Sequence, residues 1–536
     1  MKEEKTPEEA ARSKRAHADS MIVMGAVTTV AALAAAWIAM SGRGDVPDWM
    51  FGGKRLERAA AGSWTNTASA VRFEDWGPAP FARAKKEGKL VLLFLGPSYN
   101  APTARMEAET FGDLKAAAVA NGRFVPVRVR SEDYPDLDRR YRAGGWPTTA
   151  ALLPDGVPLA AGTAMPPDVF LRWAGAIADK ASAHPEILER VDAEAAARRQ
   201  AEAEAKTSEK PMDAAEAERR AQAALLAQWD PRKRSFDRVG PRFPRFERIA
   251  ALRKLESPWA KDLASEAAKG ALLFQEPKDG GFRRAANPDG SPAALEITSA
   301  DQAASLDALC GLMPDAARKE LEFLDKNFRP QKSPDAWRGW LAGYALSPDR
   351  HRAGDGAEFA AWSEDGWRPV GGARIADDAN LARAVLACAE ATPAQKKFAE
   401  KVVARAWNDF DKRAGRRDPR LLMDDMIALA EAELAAFHPE RAITIFRWLD
   451  AYHADGPVFF DRVATGVLPA DMDRMADAAL NARLLGVMKT ALTLAPLEAR
   501  QCSFQKRRKE LYAWLSARSD RLDPAVWAAL AASEAK

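Results

Sequence analysis

The sequence predicts an α/β domain followed by an all-α domain of paired helices, both behind one N-terminal transmembrane helix. Three observations predict it: an uncharged apolar run near the start, a stretch where strand-like and helix-like runs alternate, and a long tract of helical segments punctuated by Asp-Gly turns. The chain has 536 residues, room for several folded units with sizeable cores. Its 79 Lys+Arg against 76 Asp+Glu leave a net charge of +3, which excludes a strongly electropositive nucleic-acid binder and an acidic solvating protein. With 3 Cys, a disulfide-stapled scaffold is excluded, and the fold must rest on ordinary packing.

Residues 1–20 read as a charged cytosolic tail. Met21–Met40 holds 20 residues without a charge, about 30 Å of helix at ~1.5 Å per residue, which fits a single membrane crossing. A cleaved signal peptide is the competing reading, but Ala39-Met40-Ser41 is a poor cleavage site and the tail ahead of it is long. Arg12, Lys14 and Arg15 before the run, against Arg43 after it, place the N-terminus in the cytoplasm and the bulk outside, in the periplasm if the cell is Gram-negative.

The α/β domain spans residues 73–181. Phe81–Glu87 reads as a helix ended by Gly88, and the apolar run Leu90–Leu95 as a strand buried on both faces. A helix follows over Ala101–Asn121, a strand over Phe124–Arg130 and a short helix over Pro135–Arg142. Trp146-Pro147 leads into a third strand, Thr148–Leu153, and Asp155-Gly156 turns into a fourth near Pro158. A helix over Pro167–Ala181 closes the unit. The order βαβαββα, with a proline directly before the third strand, is that of a thioredoxin core.

Several short motifs in this stretch occur together and in order: FARAKKEGKLVLLFLG, Met106–Phe111, RFVPVRVRSEDYPDLDRRY, Gly144–Pro147, and Leu153–Gly156 with Ala161–Thr163. They resemble the thioredoxin-like domain of the family named after a spermatogenesis-associated protein. Counting back from Met106-Glu107, that resemblance places the family's CxxC dithiol on Asn100-Ala101-Pro102-Thr103, and the domain contains no Cys. Neither Asn100 nor Thr103 can supply the attacking thiolate of disulfide exchange, so a dithiol oxidoreductase is excluded. Asn100 can cap the following helix, whose first turn tolerates Pro102. The resemblance further implies a cis bond before Pro147 and an exposed backbone edge there, making Trp146 and Pro147 candidates for binding a peptide or partner. A turn-shaping proline beside a packed tryptophan explains the same residues.

Residues 182–228, rich in Ala, Glu, Arg and Lys, read as a charged helical linker. Residues 229–536 hold about a dozen helical segments. Among them are Ser257–Phe274, Asp301–Leu312, Asp315–Phe328, Asp335–Leu346, Asp377–Ala391, Pro393–Ala414, Leu421–Phe437, Pro439–His453, Asp471–Ala495 and Phe504–Ala517. Paired helices with turn-rich insertions fit an (α/α) toroid, the architecture of several sugar-active enzymes. The family resemblance continues through Trp229–Phe236, Gly240–Pro244, Gly280–Arg283, Glu296 with Asp301, and Asp377–Leu381.

A toroid leaves one mouth open, where carboxylates can face each other. Glu296, Asp301, Asp377 and Asp378 are therefore the catalytic candidates, one to donate a proton and another to act as base or nucleophile. Against catalysis, the resemblance calls for a His where Ala294 stands, and N-capping accounts for Asp301 and Asp377 without chemistry. Trp337, Trp340, Trp362 and Trp367 can stack on sugars or fill space between helices. No phosphate-loop, HExxH, EF-hand or CxxC motif occurs, so no cofactor or metal is implied. Cys310, Cys388 and Cys502 lie singly on apolar helical stretches and read as small buried hydrophobes. Arg232–Arg234, Lys412-Arg413 with Arg416-Arg417, and Lys506–Lys509 read as solvated helix faces, or as contacts to anionic lipid or an acidic partner.

Two functions remain. One is a membrane-anchored exported protein that binds protein partners as scaffold, chaperone or assembly factor, with no nucleic acid involved. The other is a membrane-tethered carbohydrate-active enzyme, of glycosidase or epimerase type, with a sugar ligand in the toroid cleft.

Overall fold

The computed structural model describes residues 69–536 apart from 98–99, 205–210, 292–296, 329–342, 347–366, 370–373, 419, 466, 469–472, 502–503, 519–521 and 535–536. Residues 1–40, with the expected tail and anchor, lie outside them, as do Glu296, Trp337, Trp340, Trp362 and Cys502. No helix among the described residues is long and apolar enough to cross a membrane.

The α/β domain runs β1 (Glu74–Asp75), α1 (Pro78–Glu87), β2 (Leu90–Gly96), α2 (Ala101–Arg105), α3 (Leu114–Arg123), β3 (Phe124–Arg130), α4 (Pro135–Tyr141), β4 (Thr148–Leu152), β5 (Pro158–Gly162) and α5 (Pro167–Ala183). The sheet order is β1-β3-β2-β4-β5; β2 runs parallel to β3 and antiparallel to β4, and β5 is antiparallel to β4. Every residue of β2 is buried, as its unbroken apolar run requires of a central strand covered on both faces. Each such side chain contributes roughly 1.5–3 kcal/mol on burial.

The single helix expected over Ala101–Asn121 is in fact two. A wide turn at Met106–Thr110 follows α2, Phe111 drops into the core at 0% exposure, and Asp113 restarts the helix by accepting from the backbone N–H groups of Lys115 and Ala116 at 3.0 and 2.8 Å.

The helical part continues with α6 (Pro185–Glu204), α7 (Ala214–Gln228), α8 (Phe246–Leu252), α9 (Pro258–Ala271), β6 (Ile297–Thr298), α10 (Ser299–Leu309), α11 (Pro314–Asn327), β7 (Gly343–Leu346) and β8 (Trp367–Pro369). It ends with α12 (Ile375–Ala387), α13 (Pro393–Gly415), α14 (Met423–Ala435), α15 (Pro439–Tyr452), α16 (Ala478–Leu494), α17 (Phe504–Ala517) and α18 (Pro524–Glu534). Helices α8, α10, α12, α14, α16 and α18 touch in a closed ring, and α9, α11, α13, α15, α17 and α7 each back one of them, which is an (α/α) toroid.

Two expectations are corrected. Ala217, Ala221 and Leu225 of α7 are fully buried in the helical core, so the tract read as linker up to residue 228 gives its last helix to the toroid. The domain is also not purely helical: β6, β7 and β8 form an antiparallel sheet, and Gly343–Leu346, expected within a helix, is its central strand.

Leu56–Lys536 forms one compact unit, and the contact between its two domains is specific. Leu468, from the loop between α15 and α16, is 5% exposed and packs into the α/β core with Trp76, Phe81 and Tyr141. Gly156, at φ 92°, leaves room for it: a Cβ there would lie 2.8 Å from a Leu468 methyl.

Candidate functional site

The position where the family resemblance puts a dithiol is a closed hydrogen-bonded cap. Asn100 Oδ1 accepts from the Thr103 backbone N–H at 3.1 Å and from its hydroxyl at 3.0 Å, and the two residues are 8% and 2% exposed. A Cβ on Gly96 would meet Thr103 Oγ1 at 2.6 Å and the Pro147 Cα at 3.4 Å, so Thr103 fills the space between β2 and the proline loop. Behind it, Glu107 pairs with Arg128 at 2.8 Å, yet burial pushes its carboxyl up to about 7; Arg128 offsets only part of that and Glu132 adds to it.

The Trp146–Pro147 bond is cis. Pro147 is buried, and Trp146 Nε1 donates to Asp138 Oδ1 at 2.7 Å. The guanidinium of Arg142 lies 5.3 Å from the Trp146 ring centroid and that of Arg284, from the helical domain, 4.6 Å. Arg284 is held in turn by Asp301 Oδ2 at 3.0 and 3.1 Å. Trp146, half-buried, is thus met by two arginines from within the chain.

Helix α4, next to this loop, carries Asp136, Arg139 and Arg140 to the mouth of the toroid. Arg139 reaches Asp424 at 3.6 Å and Asp477 at 3.2 Å, and Arg140 reaches Asp461 at 3.5 Å. Asp136, with no exposed side-chain surface, pairs with the nearly as sheltered Arg462 at 2.6 Å. Asp424 and Asp425 open α14 and Asp477 caps α16; carboxylates suit helix N-termini, where N–H groups point outward. Arg374, just before α12, closes the network onto Asp424 at 3.1 Å and Asp425 at 2.9 Å.

The environments of these carboxyls diverge. Burial alone would raise Asp424, but Arg374 and Arg139 outweigh it and hold it down at about 2. Burial wins at Asp377 and at Asp461, pushing each up to about 6 against the pull of Arg374 and of Arg140.

A second charged layer joins the inner helices further along their length. Arg383 of α12 grips Asp307 of α10, with one contact at 2.9 Å, and lies 3.6 Å from Glu431 of α14; Arg483 of α16 binds Glu431 at 2.6 Å and Asn380 at 3.0 Å. Burial would raise Glu431, but Arg483 and Arg383 hold it down at about 2.

Of the sequence candidates, Asp301, Asp377 and Asp378 lie at the N-termini of α10 and α12, at this mouth. Asp301 accepts from the Thr298 hydroxyl at 2.6 Å, Asp377 Oδ2 from the Arg374 backbone N–H at 3.3 Å, and Asp378 is buried at 6% exposure. Trp367 lies in β8.

The cysteine expectation fails: Cys310 and Cys388 are bonded to each other, with Cα atoms 5.5 Å apart, rather than isolated. They are buried at 7% and 1%, in keeping with the expected burial though not with the expected isolation.

Residues 58–209 match the family model Thioredox_DsbH, described as a protein of unknown function, DUF255. The thioredoxin-like domain belongs to this family. Its relatives include spermatogenesis-associated protein 20 of Rattus norvegicus, 34% identical over 113 residues, or 20% of this chain and 14% of the relative. The Homo sapiens protein of the same name is 33% identical over 113 residues, again 20% and 14%. An uncharacterized protein, B0495.5, of Caenorhabditis elegans is 35% identical over 106 residues, 18% and 14%. The chain thus spans about a seventh of the length of the curated relatives it matches. Among solved structures, the cellobiose 2-epimerase of Spirochaeta thermophila DSM 6192 aligns at TM-score 0.39 and 12% identity over 56% of this chain and 83% of that one. The Bacillus thermoamylovorans B4167 enzyme aligns at 0.38 and 9%, over 56% and 86%.

Sequence reasoning missed the family domain's use of α4 as a bridge. DLDRR in that helix is visible as alternating charge, but the partners of Asp136, Arg139 and Arg140 lie more than 280 residues further on. Asp424, Asp425, Asp461, Asp477, Arg374 and Arg462 left no motif; the one usable signal was the repeated acidic residue opening each inner helix.

Proposed function

We propose that the protein acts by binding, as a scaffold, chaperone or assembly factor, with the thioredoxin-like domain serving as a built-in cap on the toroid mouth. One observation carries this reading: the groups that would do chemistry in either domain are already occupied. Asn100 and Thr103 bond each other, and the carboxylates at the mouth are committed to arginines, of which Arg139 and Arg140 come from the cap. With Trp146 half-buried and stacked against Arg284, other surfaces are the better candidates for partner contact. Phe437, left-handed at φ 62° and 80% exposed, is one such feature, since a bulky aromatic seldom adopts that backbone or that exposure without a contact to make. Crosslinking the full chain in membranes, followed by affinity purification, should return a stoichiometric partner that Phe437→Ser captures less well. A chain that crosslinks to nothing reproducible contradicts the reading.

A second reading, a carbohydrate-active enzyme, is favoured by one observation. Asp377 near 6 and Asp424 near 2 give a proton holder and an ionised carboxylate at one mouth. It requires the cap to move, and predicts sugar turnover that Asp377→Asn abolishes.

We place the protein at a membrane, anchored through Met21–Met40, with the bulk exported. The hydropathy of that run supports this, as does the Cys310–Cys388 bond, since disulfides persist in oxidising compartments. A reporter fused after residue 60 should be active only outside the cytoplasm; cytoplasmic activity refutes the topology.

A further inference from the structure

We propose that Cys310, Cys388 and Glu390 form a redox-gated site for a thiophilic divalent cation such as zinc, closed while the disulfide stands and opened by a dithiol reductant. Cys310 and Cys388 are the C-caps of α10 and α12, neighbours in the inner ring, so two helix C-termini end at one point. Their sulfurs and a Glu390 carboxylate oxygen all lie within 4.8 Å of one another. Packing a disulfide requires no carboxylate beside it. Glu390 Oε2 nevertheless sits 3.3 Å from Cys388 Sγ, a sulfur that carries no proton to share while it is bonded to Cys310, and Oε1 is steadied by the Gly311 N–H at 3.3 Å. The carbonyl ends of two helices add negative potential at the same place. Two sulfurs and one oxygen are a zinc-type donor set, with a fourth position left for water or an outside ligand.

The chemistry balances. A small-molecule dithiol, admitted when the ends of α10 and α12 open around the buried pair, gives two electrons and two protons to the Cys310–Cys388 bond and becomes a disulfide itself. The cation then forms two metal–sulfur bonds and one metal–oxygen bond, and the two thiol protons leave to solvent. The reductant cannot be the chain's own thioredoxin-like domain, where Asn100 and Thr103 stand at the dithiol positions.

The test uses the full chain, treated with excess dithiothreitol under native conditions, freed of it without air, and titrated with Co²⁺ and then Zn²⁺. The expected result is two additional free thiols, one metal per chain and a sulfur-to-cobalt absorption band that Zn²⁺ displaces; the oxidised chain shows none of these. Cys310→Ser should lose the band, Cys502→Ser should keep it, and Glu390→Gln should weaken binding by about 10–100-fold. Circular dichroism confirms that each sample is folded. The proposal is overturned by a disulfide that stays closed in the native chain, by a folded, reduced chain without the band, or by a band that survives Cys310→Ser. Unchanged affinity in Glu390→Gln removes that residue as a ligand.

Discussion

The two domains hold the positions expected to be reactive in opposite ways. In the thioredoxin-like domain the reactive atoms have been replaced: Asn100 and Thr103 stand where the family resemblance puts sulfurs, and their mutual hydrogen bonds fill the space. In the toroid several reactive types remain and are paired: Asp424 with Arg374 and Arg139, Asp461 with Arg140, Glu431 with Arg483, and Cys310 with Cys388. Replacement is permanent, whereas pairing can be undone by a proton, a reductant or a domain movement. The contrast teaches where a change of conditions acts: on the paired groups of the helical domain rather than on Asn100 and Thr103.

The comparison can be broken most forcefully at the contact between the domains. Leu468→Asp puts a charge into the α/β core, where Leu468 is 5% exposed, and should cost about 4 kcal/mol or more or split unfolding into two transitions. A single unshifted transition would show that the domains do not depend on each other.

Within the cap, Glu107 sharpens the contrast between a replaced and a retained titratable group. Its folded pKa, raised to about 7 chiefly by burial, lies above the unfolded carboxyl value, so the native state holds a proton that the unfolded chain has lost, and stability falls as pH rises through that window. Denaturation of Glu107→Gln should therefore show a stability advantage over the parent that grows by about 2.5 kcal/mol from pH 5 to pH 8. A constant difference would mean that the carboxyl is ionised throughout. The smallest effect is at the cap itself: Asn100→Ala, which removes the acceptor for both Thr103 bonds, should cost about 1 kcal/mol by denaturant titration.

Local signals made the frame legible. The β2 run LVLLFL, the strand FVPVRVR and the proline before β4 each follow from short-range preferences, and the structure keeps all three, although β3 is buried over its first four residues rather than alternating. Asp113 was harder, because a helix that stops at Phe111 and restarts is set by Phe111 seeking the core rather than by propensity. The toroid's small sheet escaped because β7 reads equally well as the end of an apolar helix. The mouth escaped for a different reason. Asp136 finds Arg462 only once the loop before α16 has docked, and no spacing encodes such a pair. The Cys310–Cys388 bond becomes readable only after the helices carrying them are known to be ring neighbours.

That the thioredoxin-like domain caps the toroid is tested most directly by a double-mutant cycle across the boundary, measuring the unfolding free energy of Asp136→Ala, Arg462→Ala and the pair together. The two side chains meet at 2.6 Å with 0% and 6% of their surfaces exposed, so either single change strands a buried charge and the second relieves it. The account predicts a coupling of at least about 2 kcal/mol. Additive effects, with no coupling, would mean that the cap does not sit on the mouth.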